Sequence, residues 1–322
     1  MQELGLVDYI GESVVVVGHH NADPDAIGSA HGIKELIEAL KPDSVVEIVM
    51  PEDISSLSKK IIEELDLKVH EKSSKLFDTV IVVDSGGLNQ LGKYEKTIKT
   101  HDKVTVFIDH HNLDDNISQY IDLLIHDKWV SSTCELVYRL YEEYKINPSS
   151  LASKALLAGI MFDTKYLSIG NSETLRTAAK LLENIGDISD IKSLMQMDTD
   201  MSERIARIKT AQRSELHRVH DWLIVLSDVR SYQASGARAL VSLGADLAIV
   251  TGSDKGKLRA SLRSTQKFYI KTGIHMGDLV TKISDGFNGT GSGHPTAAGF
   301  NGTGSSDDFK KELLRIISNE IV

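Results

Sequence analysis

The sequence predicts an α/β fold: a mainly parallel sheet flanked by helices, then a helical connector, then a smaller second α/β domain. Three observations predict it. Apolar, β-branched runs at Val14–Val17, Thr79–Val83 and Val104–Ile108 have the composition of strands buried on both faces. Helical spacing follows the first of them, with Ile33, Leu36, Ile37 and Leu40 on one stripe, and strands alternating with helices imply parallel βαβ units. A fresh apolar strand, Trp222–Leu226, opens a new pattern after a stretch from Ser172 to His220 that reads as almost wholly helical. These patterns divide the chain into a domain over 1–186, a connector over 187–220 and a domain over 221–322.

Taken in order, residues 1 to 12 read as a short leading helix and Val14–Val17 as the first strand. Ser44–Val49 is a second strand, Pro51–Leu65 a helix, and Leu67–His70 a short strand. Gly86-Gly87 allows a sharp turn after the strand that ends at Asp84. Lys93–Thr100 is a polar helix or loop, and Ile121–Ile125 another strand. Helices follow at Ser131–Tyr144, Leu151–Phe162, Thr174–Ile185 and Ile191–Met197, and a long charged one at Ser202–His220. The second domain reads as strand Trp222–Leu226, helix Ala234–Leu243, strands Asp246–Gly252 and Lys257–Ser264, and helix Met276–Ile283. A glycine-rich stretch, a helix or turn beginning at Ala297-Ala298, and a terminal helix Phe309–Ile321 complete it.

Composition narrows the function. With 46 acidic against 36 basic residues, the formal charge is −10, which argues against broad binding of duplex DNA. The single cysteine, Cys134, excludes an internal disulfide and reads as a small buried apolar residue. No run approaches the roughly 18 apolar residues of a membrane span, and the first residues lack a signal-peptide pattern, so a cytoplasmic protein without membrane contact is expected.

The chemistry gathers at strand ends. Gly18-His19-His20-Asn21-Ala22-Asp23-Pro24-Asp25 follows the first strand, Asp84-Ser85-Gly86-Gly87 another, and Asp109-His110-His111-Asn112 a third; Asp163 follows Leu156–Phe162. Asp and Asn also favour ordinary surface turns. Parallel strands, however, bring their carboxyl ends together, and ligands bind there. Mixed imidazole and carboxylate groups suit divalent metals.

The order H-x-N-x-D-x-D, VVDSGG, IDHH and FDT resembles the four motifs of the DHH phosphoesterase superfamily. Gly291-Ser292-Gly293-His294-Pro295-Thr296-Ala297-Ala298-Gly299 resembles the GGGHxxAAG signature of the associated DHHA1 domain, with serine at the second glycine. Short members similar to nanoRNase and pAp phosphatase, and the RecJ core, resemble the chain most. Two-metal hydrolysis requires cations about 3.5–4 Å apart, a bridging carboxylate and an activated water. By resemblance, His19 and Asp23 bind the first metal, Asp25, His110 and Asp163 the second, and Asp84 bridges both. The resemblance implies two divalent ions, usually Mn2+, with Mg2+ or Co2+ compatible.

The spacing to Asp23 and Asp25 selects His19 over His20. Asp109 either orients a neighbouring imidazole or caps its strand. His111 resembles the histidine that faces the phosphate, and the two form the catalytic pair. In the second domain, His294, with Gly291, Ser292 and Gly293, and Arg263 are expected to hold the substrate's phosphate end. Arg259 shares a face with Arg263 and reads as a solvated charge.

The resemblance implies hydrolysis of short single-stranded oligonucleotides or small nucleotides (nanoRNA, pAp, linear or cyclic dinucleotides) to nucleoside monophosphates. A RecJ-like exonuclease, an inorganic pyrophosphatase or exopolyphosphatase, and a noncatalytic replication or repair partner are the alternatives. The pyrophosphatase relatives carry a different second domain, and the noncatalytic reading predicts lost ligands. A homodimer is compatible with the sequence.

Overall fold

Contacts divide the chain into two units, Met1–Met197 and Asp198–Val322. The computed structural model describes residues 5–73, 76–100, 102–114, 116–196 and 200–321.

The first unit runs β1 (Ser13–Val17), α1 (Pro24–Leu40), β2 (Val45–Val49), α2 (Ser56–Glu64), β3 (Val69–His70), β4 (Thr79–Val83), α3 (Tyr94–Lys99), β5 (Val104–Asp109) and β6 (Leu123–His126). Four helices follow: α4 (Thr133–Glu143), α5 (Ser150–Asp163), α6 (Ser172–Ile185) and α7 (Ile188–Met195). The sheet order is β3-β2-β1-β4-β5-β6, with every pair parallel. Strand residues point to alternate faces, and both faces are covered, which is why β1 is unbroken valine. Val14 and Val16 pack with α1, α4 and α5, whereas Val15 and Val17 pack with Leu88, Tyr94 and Ile98. The chain winds outward in opposite directions from β1 and β4. This switch point leaves a crevice beyond their carboxyl ends.

α1 and α5 lie unusually close. A Cβ on Gly28 would stand 2.3 Å from the Ala155 carbonyl oxygen, and one on Gly159 would stand 2.4 Å from Cys134 Sγ and 2.9 Å from Asp25 Oδ1. Glycine at both positions lets α5 bring Asp163 towards the start of α1.

The second unit runs α8 (Met201–Gln212), β7 (Glu215–Val219), β8 (Trp222–Asp228), α9 (Gln233–Ser242), β9 (Leu247–Asp254), β10 (Lys257–Ser264), α10 (Gln266–Thr272), α11 (Met276–Ile283), β11 (Thr290–His294), β12 (Ala297–Thr303) and α12 (Ser306–Glu320). Its sheet order is β11-β12-β10-β9-β8-β7, antiparallel except for the β8–β9 pair.

Several boundaries differ from the sequence reading. The leading helix is only a 3-10 turn, Leu6–Tyr9, within the described residues, because Glu12 and Ser13 N–H groups bond the Asp78 carboxylate and draw the chain extended. The second helix starts at Ser56, where the Ser55 hydroxyl accepts from Ser58 N–H. The 187–220 segment is divided: α7 belongs to the first unit, while α8 and β7 belong to the second. The expected helix to His220 ends at Gln212. His220 at φ 53° then turns β7 back to pair with β8. Ala297-Ala298 starts a strand, because it pairs with both β10 and β11. Gln266–Thr272 forms a helix capped by Thr265, and the short Met197 end of the seventh helix lies outside the described residues.

Alanine normally gains about 1 kcal/mol over glycine inside a helix. Gly28→Ala should instead lose about 1–3 kcal/mol, since its methyl meets a backbone carbonyl. Urea unfolding of the two proteins measures the sign.

Candidate functional site

The cluster of the first unit assembles at the β1–β4 switch point. Asp23 caps α1, its Oδ1 accepting from Asp25 N–H at 2.9 Å and Ala26 N–H at 3.2 Å. His19 Nδ1 sits 2.7 Å from the His20 carbonyl oxygen, which directs Nε2 towards Asp23 Oδ1 at 3.9 Å and Asp84 Oδ2 at 3.7 Å. His20 turns away to the Gln90 carbonyl.

Asp25 is fully buried at the start of α1, yet both its oxygens are used. Oδ2 accepts from Thr133 N–H at 2.7 Å and Oδ1 from Cys134 N–H at 2.9 Å. These are the first N–H groups of α4, where helix dipole and unpaired donors favour an anion. The Thr133 hydroxyl donates to Asp84 Oδ1 at 3.0 Å. Asp84 is 2% exposed and adopts φ 56°, a left-handed conformation that Asp tolerates better than most residues.

His110 Nε2 lies 3.3 Å from Asp163 Oδ2, 3.7 Å from Asp84 Oδ1 and 3.9 Å from Asp25 Oδ2. Three overlapping trios therefore form among the described residues, His19, Asp23 and Asp84, then Asp25, His110 and Asp163, and then Asp84, His110 and His111, with the two Asp84 oxygens turned to different histidines. His111 is half exposed; its Nδ1 meets Asp109 Oδ1 at 2.9 Å and stands 3.5 Å from Asp84 Oδ1. Asp109 thus orients His111, whose backbone N–H it also accepts.

Charge in this cluster is one-sided. Burial, with Asp163 nearby, pushes Asp25 up to about 6, and burial among Asp25, Asp23 and Asp109 raises Asp84 well above the usual carboxylate range. Burial opposes protonation of His110, but Asp163 and Asp25 outweigh it and lift the imidazole to about 9. His19 is raised too, as Asp23 overcomes its burial. Asp25 and Asp84, like the two imidazoles, favour their protonated forms because positive charge is scarce, whereas Asp23, despite its burial, is held below the usual carboxylate range by His19 and the first N–H groups of α1. In its neutral form His110 leaves a buried Nε2 lone pair that makes no hydrogen bond among the described residues, a cost that a cation at this point would remove. The oxygen and imidazole donors fit divalent metals.

In the second unit, alternation puts Ser292 and His294 of β11 on the face that bears Arg263, across Gly299 and Ala297 of β12. They line a groove of about 370 Å³ with Arg259, Ser261 and Asn301. Gly293 also lines it, but Gly291 does not; a Cβ there would meet Val280 of α11 at 2.8 Å. Helix packing, rather than access of backbone N–H groups to an anion, accounts for Gly291. Arg263 is half-buried, and burial together with nearby Arg238 disfavours its charge.

Sequence reasoning missed Thr133 and the α4 N-terminus. The only local signal was a capping pattern, with Ser132 Oγ accepting from Glu135 N–H.

A doubly wound parallel sheet with acidic and imidazole loops at its switch point has the position and the donor set of a divalent-metal site. Residues 13–160 match the family model described as DHH family, N-terminal domain, and 238–321 match the DHHA1 domain. The chain belongs to the DHH phosphoesterase family and carries its DHHA1 domain. It is 32% identical to uncharacterized protein MJ0988 of Methanocaldococcus jannaschii, across 98% of this chain and 94% of that one. It is 29% identical to the bifunctional oligoribonuclease and PAP phosphatase NrnA of Bacillus subtilis, over 53% of each. It is 27% identical to the cyclic-di-AMP phosphodiesterase GdpP of the same organism, over 64% of this chain and 33% of that one. The chain thus spans about half of NrnA and a third of GdpP. An exopolyphosphatase-related protein from Bacteroides fragilis shares the fold, with TM-score 0.59 at 18% identity over 96% of this chain and 93% of that one. Among the described residues, no helix is long and apolar enough to cross a membrane.

Asp84→Asn removes one of the crowded charges and suits the left-handed backbone. In EDTA it should stabilise the protein by about 1 kcal/mol. Added Mn2+ should raise the Tm of wild type by several degrees and that of the variant far less. Differential scanning fluorimetry reads both shifts.

Proposed function

We propose that the protein is a manganese-dependent phosphoesterase that hydrolyses short single-stranded oligonucleotides or small nucleotides to nucleoside monophosphates. One ion would be held by His19, Asp23 and Asp84, the other by Asp84, Asp25, His110 and Asp163. Bound there, divalent ions lower the pKa of a water nucleophile and neutralise charge on the phosphoryl group. The observation that supports this reading most is the pair of Asp84 oxygens, each 3.7 Å from a different histidine.

His111 donates its Nδ1–H to Asp109, so the neutral ring presents a bare Nε2 and only the imidazolium has an Nε2–H to give to a phosphoryl oxygen or the leaving group. Asp109, buried behind it, fixes that tautomer. His294 and Arg263 would grip the phosphate end of the substrate, Arg263 through its planar fork. The NrnA and GdpP relatives, acting by name on oligoribonucleotides, PAP and cyclic-di-AMP, favour substrates of this class.

Product analysis with pAp, pApA and short RNA and DNA ladders under Mn2+, Mg2+ and Co2+ tests the reading. Asp84→Ala should lower the manganese-supported rate by about 10³-fold or more; equal rates in variant and wild type would sink the proposal. His294→Ala and Arg263→Ala should raise KM by about tenfold with a smaller change in kcat, measured by steady-state kinetics on pApA.

A further inference from the structure

Thr133 differs from Thr164, Thr210 and Thr281 in where its hydroxyl points. Those three give theirs to the carbonyl four residues back, the usual choice on a helix. Thr133 opens α4, so no preceding turn competes for it. Its hydroxyl donates instead to Asp84 Oδ1 at 3.0 Å, across 49 residues of sequence. Among the described residues this is the one hydrogen bond that the Asp84 carboxylate accepts; His111 and His110 stand 3.5 and 3.7 Å from Oδ1, and His19 stands 3.7 Å from Oδ2. The donor is held firmly. Thr133 has no solvent exposure, its N–H is committed to Asp25 Oδ2 at 2.7 Å, and its branched side chain is stiff at χ1. The acceptor is not firm by itself. The Asp84 backbone is pinned, its N–H donating to the Ile108 carbonyl at 3.1 Å, but a carboxylate turns broadly about its last bond.

We infer that Thr133 is a positioning residue for the shared carboxylate: its hydroxyl sets the turn of the Asp84 side chain, so that Oδ1 faces His110 and Oδ2 faces His19. The inference rests on the two-ion reading given above. A carboxylate free to turn can give both oxygens to one ion, and the other position then loses its shared ligand. With Oδ1 held by Thr133, each position keeps one oxygen. The Thr133 N–H at the same time holds Asp25, a member of the trio with His110 and Asp163, so one residue fixes the bridge relative to that trio. Thr133 acts only through these two carboxylates. Outer partners of this kind govern how well a site binds and uses its metal.

The test compares Thr133→Val, which keeps the shape and removes the hydroxyl, with Thr133→Ser, which keeps the hydroxyl. Electron paramagnetic resonance of the full chain loaded with Mn2+ reads the bridge directly, because ions that share a carboxylate couple magnetically. Wild type and Thr133→Ser should give the closely spaced multiline pattern of a coupled pair, and Thr133→Val the pattern of separate ions. With pApA, Thr133→Val should lower kcat about 10- to 100-fold at nearly unchanged KM, and Thr133→Ser by less than about threefold. Urea unfolding in EDTA checks that the valine variant is folded; if it is not, Thr133→Ala, which adds no bulk, carries the same expectations. A coupled pair that survives in Thr133→Val, or a loss in Thr133→Ser as deep as in Thr133→Val, overturns the positioning role and leaves the two-ion reading standing. Wild type without a coupled pair overturns the two-ion reading and this inference with it.

Discussion

The grip of α4 on Asp25 is the constraint on which the first unit depends. A carboxylate with no solvent access, crowded by other carboxylates, is costly to bury. The Thr133 and Cys134 N–H groups offset that cost with two charge-assisted hydrogen bonds, and the helix dipole points the same way. The contact joins positions 108 residues apart. It also orients the neighbourhood, because the same Thr133 donates its hydroxyl to Asp84. One helix end thus aims two acidic side chains belonging to different strand-end loops.

The rest of the cluster follows from topology. β1 and β4 are neighbours, so the loops bearing His19, Asp23 and Asp84 meet; β5 lies beside β4 and adds His110 and His111. Asp163 arrives differently, on a helix rather than a strand, and reaches the others only because Gly28 and Gly159 let two helices nearly touch. The second unit solves a different problem. Its outer strands keep one face free of bulky side chains, and among the described residues Arg259 and Arg263 stand along that face without an ion-pair partner.

Much of this was legible in the sequence. Valine runs ending in Asp announced buried parallel strands with chemistry at their ends, and the four- and six-residue offsets from Asp23 and Asp25 selected His19 over His20. What stayed hidden was tertiary. Ser132-Thr133-Cys134-Glu135 reads as an ordinary helix start, and nothing local says which anion will occupy it. β11 and β12 lack β-branched alternation, because glycine and alanine are needed where α11 packs on one side and the groove opens on the other. β7 reads in the sequence as part of a helix because an edge strand with exposed positions shows little of the period-two pattern.

The close seating of α1 against α5 also shapes how the protein is made. α1 buries twelve of its residues, and α5 begins about 110 residues after α1 ends. At ribosomal speeds of roughly 5–20 residues per second, the apolar flank of α1 waits on the order of 5–20 s for its cover. During that interval the nascent chain presents a sticky surface to whatever is near.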